Sequence, residues 1–309
     1  MKRFSNLLTK VLAIAMTVFA FQGAAVLHAG ETVEAKEPKP PAVEAPPGLR
    51  IHGLLQLEFS DKYITPRGLV VENQGLVFQP LLLIFWNLYA SETGFLNDIT
   101  LTTGVWNSWH TRKSGVDPGE WNEIDPIVGL TFKFAKAFQF DAFYTAFVSQ
   151  TDSYDTSTNL DLRLTYYDTF IPGFSINPFV EFFYDIDNIP VFFGAQNSWY
   201  FVLGINPTFQ AGPVKIELPT SVNLVASDFY LRADGSDGGS GAAVFTTQLR
   251  ASVPISFIPP SYGHWTFYAG VQYYHFNNDG LLDGNEILGA ANSRDENLVQ
   301  FHGGIRIFF

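Results

Sequence analysis

The chain has 309 residues, enough for one large domain or two ordinary ones, and it carries a formal charge of −12. It contains no cysteine, which excludes disulfides, thiolate chemistry and cysteine-based zinc sites. Phenylalanine contributes 30 residues, glycine 26 and proline 18. Because aromatic residues favour strands while glycine and proline favour turns, the composition predicts an all-β chain with many turns.

The N-terminus predicts an export signal. Three basic residues among the first ten precede an apolar run of eleven residues and then several small ones. The run is too short for a membrane anchor, which needs roughly 20 residues. We therefore expect a signal peptide over residues 1–29, cleaved at Ala29, with Ala25 and Ala35 as alternative sites.

Removal of this peptide would change the formal charge from −12 to −15, because it takes away three basic residues and no acidic one. So acidic a mature protein is a poor candidate for binding nucleic acid. Residues 30–48 are rich in Pro, Glu and Ala and lack periodicity, which predicts a disordered periplasmic spacer. The folded domain is expected over residues 49–309.

From residue 50 onward, apolar and polar residues alternate, as they do in strands with one apolar face. Each segment is close to the roughly 9–11 residues with which a tilted strand crosses a membrane. The pattern predicts about twelve strands, over 50–60, 78–88, 98–106, 123–134, 138–148, 160–168, 176–185, 199–206, 214–224, 245–253, 264–275 and 298–309.

The predicted connections alternate in length, as when short turns lie on one side of a membrane and larger loops on the other. The short ones are 90–97, 135–137, 168–174, 207–213 and 254–262. The long ones are 61–76, 107–122, 186–197, 225–243 and 275–297, with 150–158 as a shorter exception. An even number of strands places both chain ends on the side of the short turns.

Two architectures share this alternation: a soluble β-sandwich and a transmembrane barrel. The nearly uninterrupted apolar faces favour the barrel, because soluble sheets protect their edges with charges and short strands. The terminal Phe309, on the apolar face, is typical of an assembly signal in bacterial barrels. We therefore predict a transmembrane antiparallel up-and-down β-barrel in the bacterial outer membrane, with short periplasmic turns and longer extracellular loops. Its expected partners are the outer-membrane bilayer, the barrel-assembly machinery and small solutes.

Four prolines, at positions 80, 126, 178 and 219, fall within or at the ends of predicted strands. Proline lacks the N–H that a ladder hydrogen bond needs. We therefore expect all four at barrel rims or at bulges. Their presence at the middle of the membrane would mean that the predicted strand limits are wrong.

Five short stretches of the sequence together resemble one family. "SDKYITPRG" is followed by a Gln-Pro pair, "GVWNS", "EIDPIVGL" and "LPTSV". This succession resembles the TorF-like porins of Gram-negative outer membranes, although the Ile-Thr-Pro insert departs from their usual spacing. The matching positions are Asp61, Tyr63, Arg67, Gly68, Trp106, Asn107, Ser108, Glu123 and Asp125. The resemblance spans about residues 50 to 309 and implies a porin without implying site residues.

The inward face carries nine predicted acidic residues, which include Asp98, Glu123 and Asp185, against five basic ones. Because a ring of one charge sets the preference of a pore, this excess predicts a passive channel that mildly prefers cations. The pore-lining candidates are Glu58, Asp125, Lys133, Asp141, Asp161, Arg163, Glu181, Lys215, Glu217, Arg250 and Arg306. The alternative is a non-conducting structural or adhesive barrel, in which these charges pair and fill a narrow lumen.

Two further types of site were considered. The segment 275–286 places Asn277, Asp279, Asp283 and Glu286 at the ligand spacing of a calcium loop, although His275 replaces the first ligand. An outer-membrane lipid hydrolase would resemble barrels that carry a His-x-Ser pair, and none of the six histidines has Ser two residues later. A nucleophile activated from another strand stays open. We expect no enzyme and no cofactor.

Overall fold

The structure, a computed structural model, describes four stretches of the chain: residues 50–112, 120–187, 197–288 and 294–309. The predicted signal peptide over residues 1–29 and the predicted spacer over residues 30–48 lie outside the described residues. Within those four stretches, no helix combines the length and the apolar character that crossing a membrane requires. The strands therefore define the fold.

Seventeen strands and one α-helix, α1 (Asp279–Leu288), make up the described part of the chain. The strands are β1 (Arg50–Ser60), β2 (Tyr63–Ile64), β3 (Val70–Glu72), β4 (Val77–Ala90), β5 (Leu96–His110), β6 (Trp121–Phe134), β7 (Phe138–Ser149), β8 (Ser157–Tyr166), β9 (Phe174–Ser175), β10 (Pro178–Asp187), β11 (Trp199–Ile205), β12 (Thr208–Ala211), β13 (Val214–Glu217), β14 (Thr220–Val225), β15 (Gly241–Pro254), β16 (His264–Phe276) and β17 (Asn297–Phe308).

All strands except the β2–β3 pair belong to one antiparallel sheet that closes on itself. The chain ends meet in the wall, because β1 pairs with β17 on one side and with β4 on the other. Strands β9 and β10 act as one broken wall strand, as do β11 and β12 and likewise β13 and β14, so the fifteen strands of the wall occupy twelve positions. The predicted barrel of about twelve antiparallel strands is confirmed.

Successive connections lie alternately at the two ends of the barrel, as predicted. At the loop end, the described parts of the connections are 61–76, 111–112 with 120, 150–156, 197–198, 226–240 and 277–288 with 294–296. The turn end carries those at 91–95, 135–137, 167–173, 212–213 and 255–263. The separation by length is not strict, because the loop-end connection 150–156 is shorter than the turn-end connection 255–263.

The proline expectation is wrong for two of the four residues. Pro178 begins β10, and Pro219 occupies the break between β13 and β14, as expected. Pro80 and Pro126 instead lie inside β4 and β6, where each leaves a gap in the pairing with the next strand and no bulge. The wall tolerates both because each proline turns its missing N–H toward one neighbour only, and the β1–β4 pairing opposite Pro80 is intact.

The two faces of the wall have different environments. On β17, Phe301 points outward and is 60% exposed, whereas its neighbour His302 points inward and is 8% exposed. The outer face carries rows of stacked aromatic rings, such as Phe59, Phe78 and Trp109, whose neighbouring centroids lie 4.7 and 5.8 Å apart. An apolar outside and a polar inside are the reverse of a soluble sheet's core.

The lumen is filled, and part of the filling is apolar. Leu81, Leu83 and Phe85 point inward from β4, because its sequence is apolar on both faces. They join one of two buried hydrophobic clusters, made of Tyr63, Val77, Leu81, Leu83, Phe85, Trp106, Ile127 and Phe143. The second cluster includes residues of the 226–240 loop and of helix α1. The loop end is therefore packed with side chains that come from its own connections.

Candidate functional site

A small hairpin inside the loop end of the barrel is the centre of the candidate site. We call residues 63–72 the plug hairpin; it consists of β2, β3 and the turn that joins them. The N–H of Gly68 donates to the Thr65 carbonyl at 2.8 Å, which closes a four-residue turn with Pro66 in its second position. This turn places Arg67 at its tip. Gly68 has φ +88°, and an added Cβ would lie 2.9 Å from the Leu281 side chain.

Side chains from four separate parts of the protein hold the plug hairpin. The Asn223 amide donates to the Pro66 carbonyl at 2.9 Å, and the Tyr230 hydroxyl donates to the Arg67 carbonyl. Asn285 of α1 accepts from the Val70 N–H at 3.0 Å and donates to the Gly68 carbonyl at 3.2 Å. The Tyr63 hydroxyl donates to Glu123 of β6 at 2.7 Å. The anchors are thus mostly polar side chains, not a shared β-sheet.

The guanidinium of Arg67 enters what we call the arginine box, formed by Asp185, Phe147 and Phe183. Its Nη1 donates to Asp185 Oδ2 at 3.1 Å. Its Cζ lies 4.8 Å from the Phe147 ring centroid and 5.6 Å from that of Phe183, within the range of cation–π attraction. The Ser157 hydroxyl donates to the other Asp185 oxygen at 3.3 Å.

Arg67 and Tyr63, whose side chains join the plug hairpin to the wall, both stay protonated. Burial alone would lower the pKa of Arg67, but the attraction of the Asp185 carboxylate outweighs it and the pKa is raised. Burial raises the pKa of Tyr63 well above its ordinary value, and the charges of Glu123 and Asp125 raise it further. Arg67 therefore stays charged and Tyr63 stays a hydrogen-bond donor at neutral pH.

A serine and a histidine that the sequence search missed lie beneath the plug hairpin. Ser108 Oγ and His110 Nε2 are 2.9 Å apart on β5, and His110 Nδ1 lies 4.0 Å from Glu72 Oε2. The pair has the order Ser-x-His, the reverse of His-x-Ser. Ser108 is 0% exposed and the Tyr63 ring packs edge-on against His110, so the hydroxyl is shielded from water while the plug hairpin is docked.

All eleven predicted pore-lining residues lie on inward-facing positions of the wall, but the two charge types are segregated. Strands β5 to β10 carry seven of the nine predicted acids and only two bases, Lys133 and Arg163. The opposite wall, from β13 through β17 to β1, carries three bases and two acids, Glu58 and Glu217. The acidic wall is made of Asp98, Glu123, Asp125, Asp141, Asp161, Glu181 and Asp185.

Many of these charges are paired across neighbouring strands. On the basic wall, Arg250 Nε and Lys215 Nζ each lie 3.0 Å from a carboxylate oxygen of Glu217. Arg306 Nε donates to Gln56 at 2.8 Å and its guanidinium lies 5.0 Å from the Tyr268 ring centroid. These networks favour a narrow lumen that side chains largely occupy in this conformation.

The acidic wall is different, because its pairing is incomplete. Arg163 Nη1 lies 3.4 Å from Glu181, and Asp141 accepts from the Thr131 hydroxyl at 2.6 Å. Asp125 Oδ1 and both polar atoms of the Asn159 side chain are buried without a hydrogen-bond partner among the described residues. This wall therefore retains hydrogen-bonding capacity that the described part of the chain does not use.

The candidate calcium loop of 275–286 is not formed, because the residues from Asp279 onward form helix α1. The Asn278 side chain caps its first turn by accepting from the Leu281 N–H at 3.0 Å. The candidate ligands Asn277, Asp279, Asp283 and Glu286 do not form a metal site. Arg294 pairs with all three carboxylates, and Arg232 lies 2.5 Å from Asp279. In the described stretches, no group of three or more acidic, His or Cys side chains could hold a metal ion.

The last residue closes the seam between the chain ends. The Gly53 N–H donates to the Phe309 carbonyl at 2.6 Å, and the Phe309 N–H donates to the Gly53 carbonyl at 2.9 Å. The Phe309 ring lies over Gly53, where an added Cβ would come within 2.3 Å of it. Phe309 itself is 54% exposed on the outer face.

Comparison with known proteins supports no transfer of function. No family model matches the chain and no curated protein matches it, so the resemblance to TorF-like porins is not confirmed. An outer membrane channel from Pseudomonas putida F1 is similar at 11% identity and a TM-score of 0.44, over 88% of this chain and 100% of that one. Outer membrane phospholipase A from Escherichia coli is similar at 12% and 0.42, over 82% of this chain and 92% of that one.

Proposed function

We propose that the protein is a porin-like channel of the bacterial outer membrane that allows passive diffusion of small solutes and is closed, in this conformation, by the plug hairpin. The observation that carries the proposal is that a closed wall with an apolar outside and a charged inside holds a separate hairpin in its lumen. The short turns face the periplasm and the longer loops face outward. Phe309 acts as the signal that the barrel-assembly machinery reads.

The lumen is proposed to prefer cations mildly. Seven acidic residues on the wall from β5 to β10 face three bases on the opposite wall, and the acidic residues outnumber the bases overall. In a narrow passage a permanent excess of one sign raises the local concentration of the opposite ion. The eleven pore-lining residues predicted from the sequence, Glu58 and Arg306 among them, are proposed to set this preference.

A second candidate function is a non-conducting structural or adhesive barrel. The observation that favours it is the pairing of lumen charges with one another, as in the contact of Glu217 with Arg250 and Lys215. Paired charges fill space and stabilise a wall without requiring solute passage. The two candidates differ in whether removing the plug hairpin produces a conducting lumen.

Planar-bilayer recordings in a KCl gradient test the proposal on the full-length mature chain. We expect brief openings whose reversal potential has the sign of cation selectivity, because the acidic wall dominates the lumen. Openings that prefer chloride would contradict the proposed preference. The absence of current from both the wild type and a variant without the plug hairpin would favour the non-conducting barrel instead.

A further inference from the structure

The arginine box has the chemistry of a ligand site, although the chain's own side chain occupies it. Two aromatic faces and one carboxylate surround a single guanidinium, which is a common way to recognise an organic cation in a desolvated site. Asp185 is 0% exposed and Phe183 is 8% exposed, so the site is shielded from water. Such shielding strengthens the attraction for any cation that enters.

An unused polar group lies next to the box. Asn159 is the cross-strand partner of Asp185 in the β8–β10 ladder, and both point into the lumen. Directly opposed residues in an antiparallel pair have their Cβ atoms about 5 Å apart. Asn159 is 1% exposed, and neither its amide nitrogen nor its amide oxygen has a partner among the described residues. A buried amide without partners costs free energy unless something else satisfies it.

We propose that the arginine box is the binding site for a small solute that bears a guanidinium group, and that Arg67 occupies it as an internal substitute when the channel is closed. This inference rests on the proposed channel function. A free guanidinium places the same planar donors against Asp185 and the same cationic face against Phe147 and Phe183. It also reaches the Asn159 amide with a donor, because it is not held by the backbone turn that fixes Arg67.

Binding of the solute and docking of the plug hairpin are then mutually exclusive. The solute binds only the open state, in which Arg67 has left the box. The shift toward that state therefore depends on the affinity of the solute for the vacated box and on its concentration. The tether at Thr65–Gly68 gives Arg67 a high effective concentration, which keeps the channel closed when the solute is scarce. The other contacts that hold the plug hairpin, at Tyr63 and Tyr230, stabilise the closed state and so raise the solute concentration needed to open the channel.

The test compares guanidinium chloride with urea, which has the same planar shape and no charge, in planar-bilayer recordings of the full-length protein at concentrations far below those that unfold it. We expect guanidinium to raise the open probability of the wild type by about tenfold, as one cation–π contact and one ion pair would allow, and urea to leave it unchanged. An equal response to guanidinium and urea would overturn the inference.

Three variants locate the effect. Arg67→Ala is expected to open without solute and to lose most of the remaining response, because the substitute is gone. The double variant Phe147→Leu, Phe183→Leu keeps apolar bulk in the box and is expected to lose the guanidinium response. Arg112→Ala removes an exposed arginine at the same end of the barrel and should respond like the wild type. Equal activation of the double variant and the wild type would also overturn the inference.

Failure of this inference is distinguishable from failure of the channel proposal. If the variant lacking the plug hairpin conducts but the wild type ignores guanidinium, the arginine box is not a solute site and the channel proposal stands. If that variant carries no current, the channel proposal fails and this inference fails with it. The mobility of unheated against boiled protein on a gel checks that each variant has folded before it is recorded.

Discussion

Replacing residues 63–72 with a short Gly-Ser linker is expected to turn a mostly closed protein into one with a steady current, at least about tenfold larger than that of the wild type. The replacement removes the Tyr63–Glu123 and Arg67–Asp185 contacts together with the apolar hairpin residues that fill the loop end. The wall strands β1 and β4 keep their ladder, because the hairpin pairs only with itself. Single-channel conductance and liposome swelling measure the change.

The matched control replaces residues 232–237, an exposed stretch of another connection at the same end, with a linker of the same composition. That replacement should leave the current at the wild-type level, since all six residues are exposed and Arg232 and Ala233 contact α1, at Asp279 and Asp283, and not the plug hairpin. The account of the plug hairpin fails if the 63–72 variant folds as a barrel and its current remains that of the wild type.

Gly304→Val is expected to destabilise the closed barrel strongly. Gly304 faces Glu58 across the β1–β17 seam, and an added Cβ would lie 2.1 Å from the Leu57 carbonyl oxygen. That oxygen belongs to the backbone of the paired strand and cannot move without breaking the seam. Overpacking of this kind lowers the free energy of unfolding by about 3 kcal/mol. Urea titration of the refolded protein in detergent, followed by tryptophan fluorescence, measures the loss.

Gly303→Val is the paired control, since Gly303 lies on the outer face and its added Cβ would meet its nearest atom, the Tyr268 carbonyl oxygen, at 3.1 Å. Only a small adjustment is needed there, and the rest of the valine side chain points away from the lumen. We expect a loss of less than about 1 kcal/mol. Similar losses for the two variants would show that the seam is not closed as the β1–β17 pairing requires.

The alternation of apolar and polar residues predicts the wall because each strand has only two faces and the environments of those faces differ. Segments such as "LVQFHGGIRIFF" repeat this contrast at every step, and the structure has Phe301 outside and His302 inside. The strand count follows, since turns rich in Gly, Asp and Asn separate the segments. Register and closure follow less directly, because they depend on which residues pair across strands.

The plug hairpin could not be predicted from the same pattern, since periodicity assigns a face to a side chain and says nothing of what lies against that face. Leu81, Leu83 and Phe85 on the inward face of β4 indicate that something apolar packs inside the barrel, because apolar side chains are unfavourable in a water-filled lumen. The stretches "SDKYITPRG" and "GVWNS" are a second indication, because their aromatic residues pack against each other inside the barrel. Tyr63 and Trp106, one from each stretch, have ring centroids 5.4 Å apart, although 43 positions separate them in the sequence.

Helix α1 shows how composition can mislead. The Asn, Asp and Gly residues of 277–285 are common to calcium loops and to exposed turns, and their spacing indicated a loop where the structure has a helix. A local pattern predicts the helix better. Asn278 is a capping residue, and it is followed by Leu281 and Leu282, which are both buried in the cluster that contains apolar residues of the plug hairpin. The acidic side chains then find arginine partners, which a sequence pattern cannot place.

The most direct test of the central claim is a scan of single cysteines along β17 of the protein in lipid vesicles, which the absence of native cysteine makes unambiguous. A fluorophore attached at Val299→Cys, Phe301→Cys and Ile305→Cys should be quenched by a lipid-borne quencher. The same fluorophore at Gln300→Cys and His302→Cys should not be. Quenching without a two-residue period, or quenching only at the even positions, would contradict a barrel whose apolar face meets lipid.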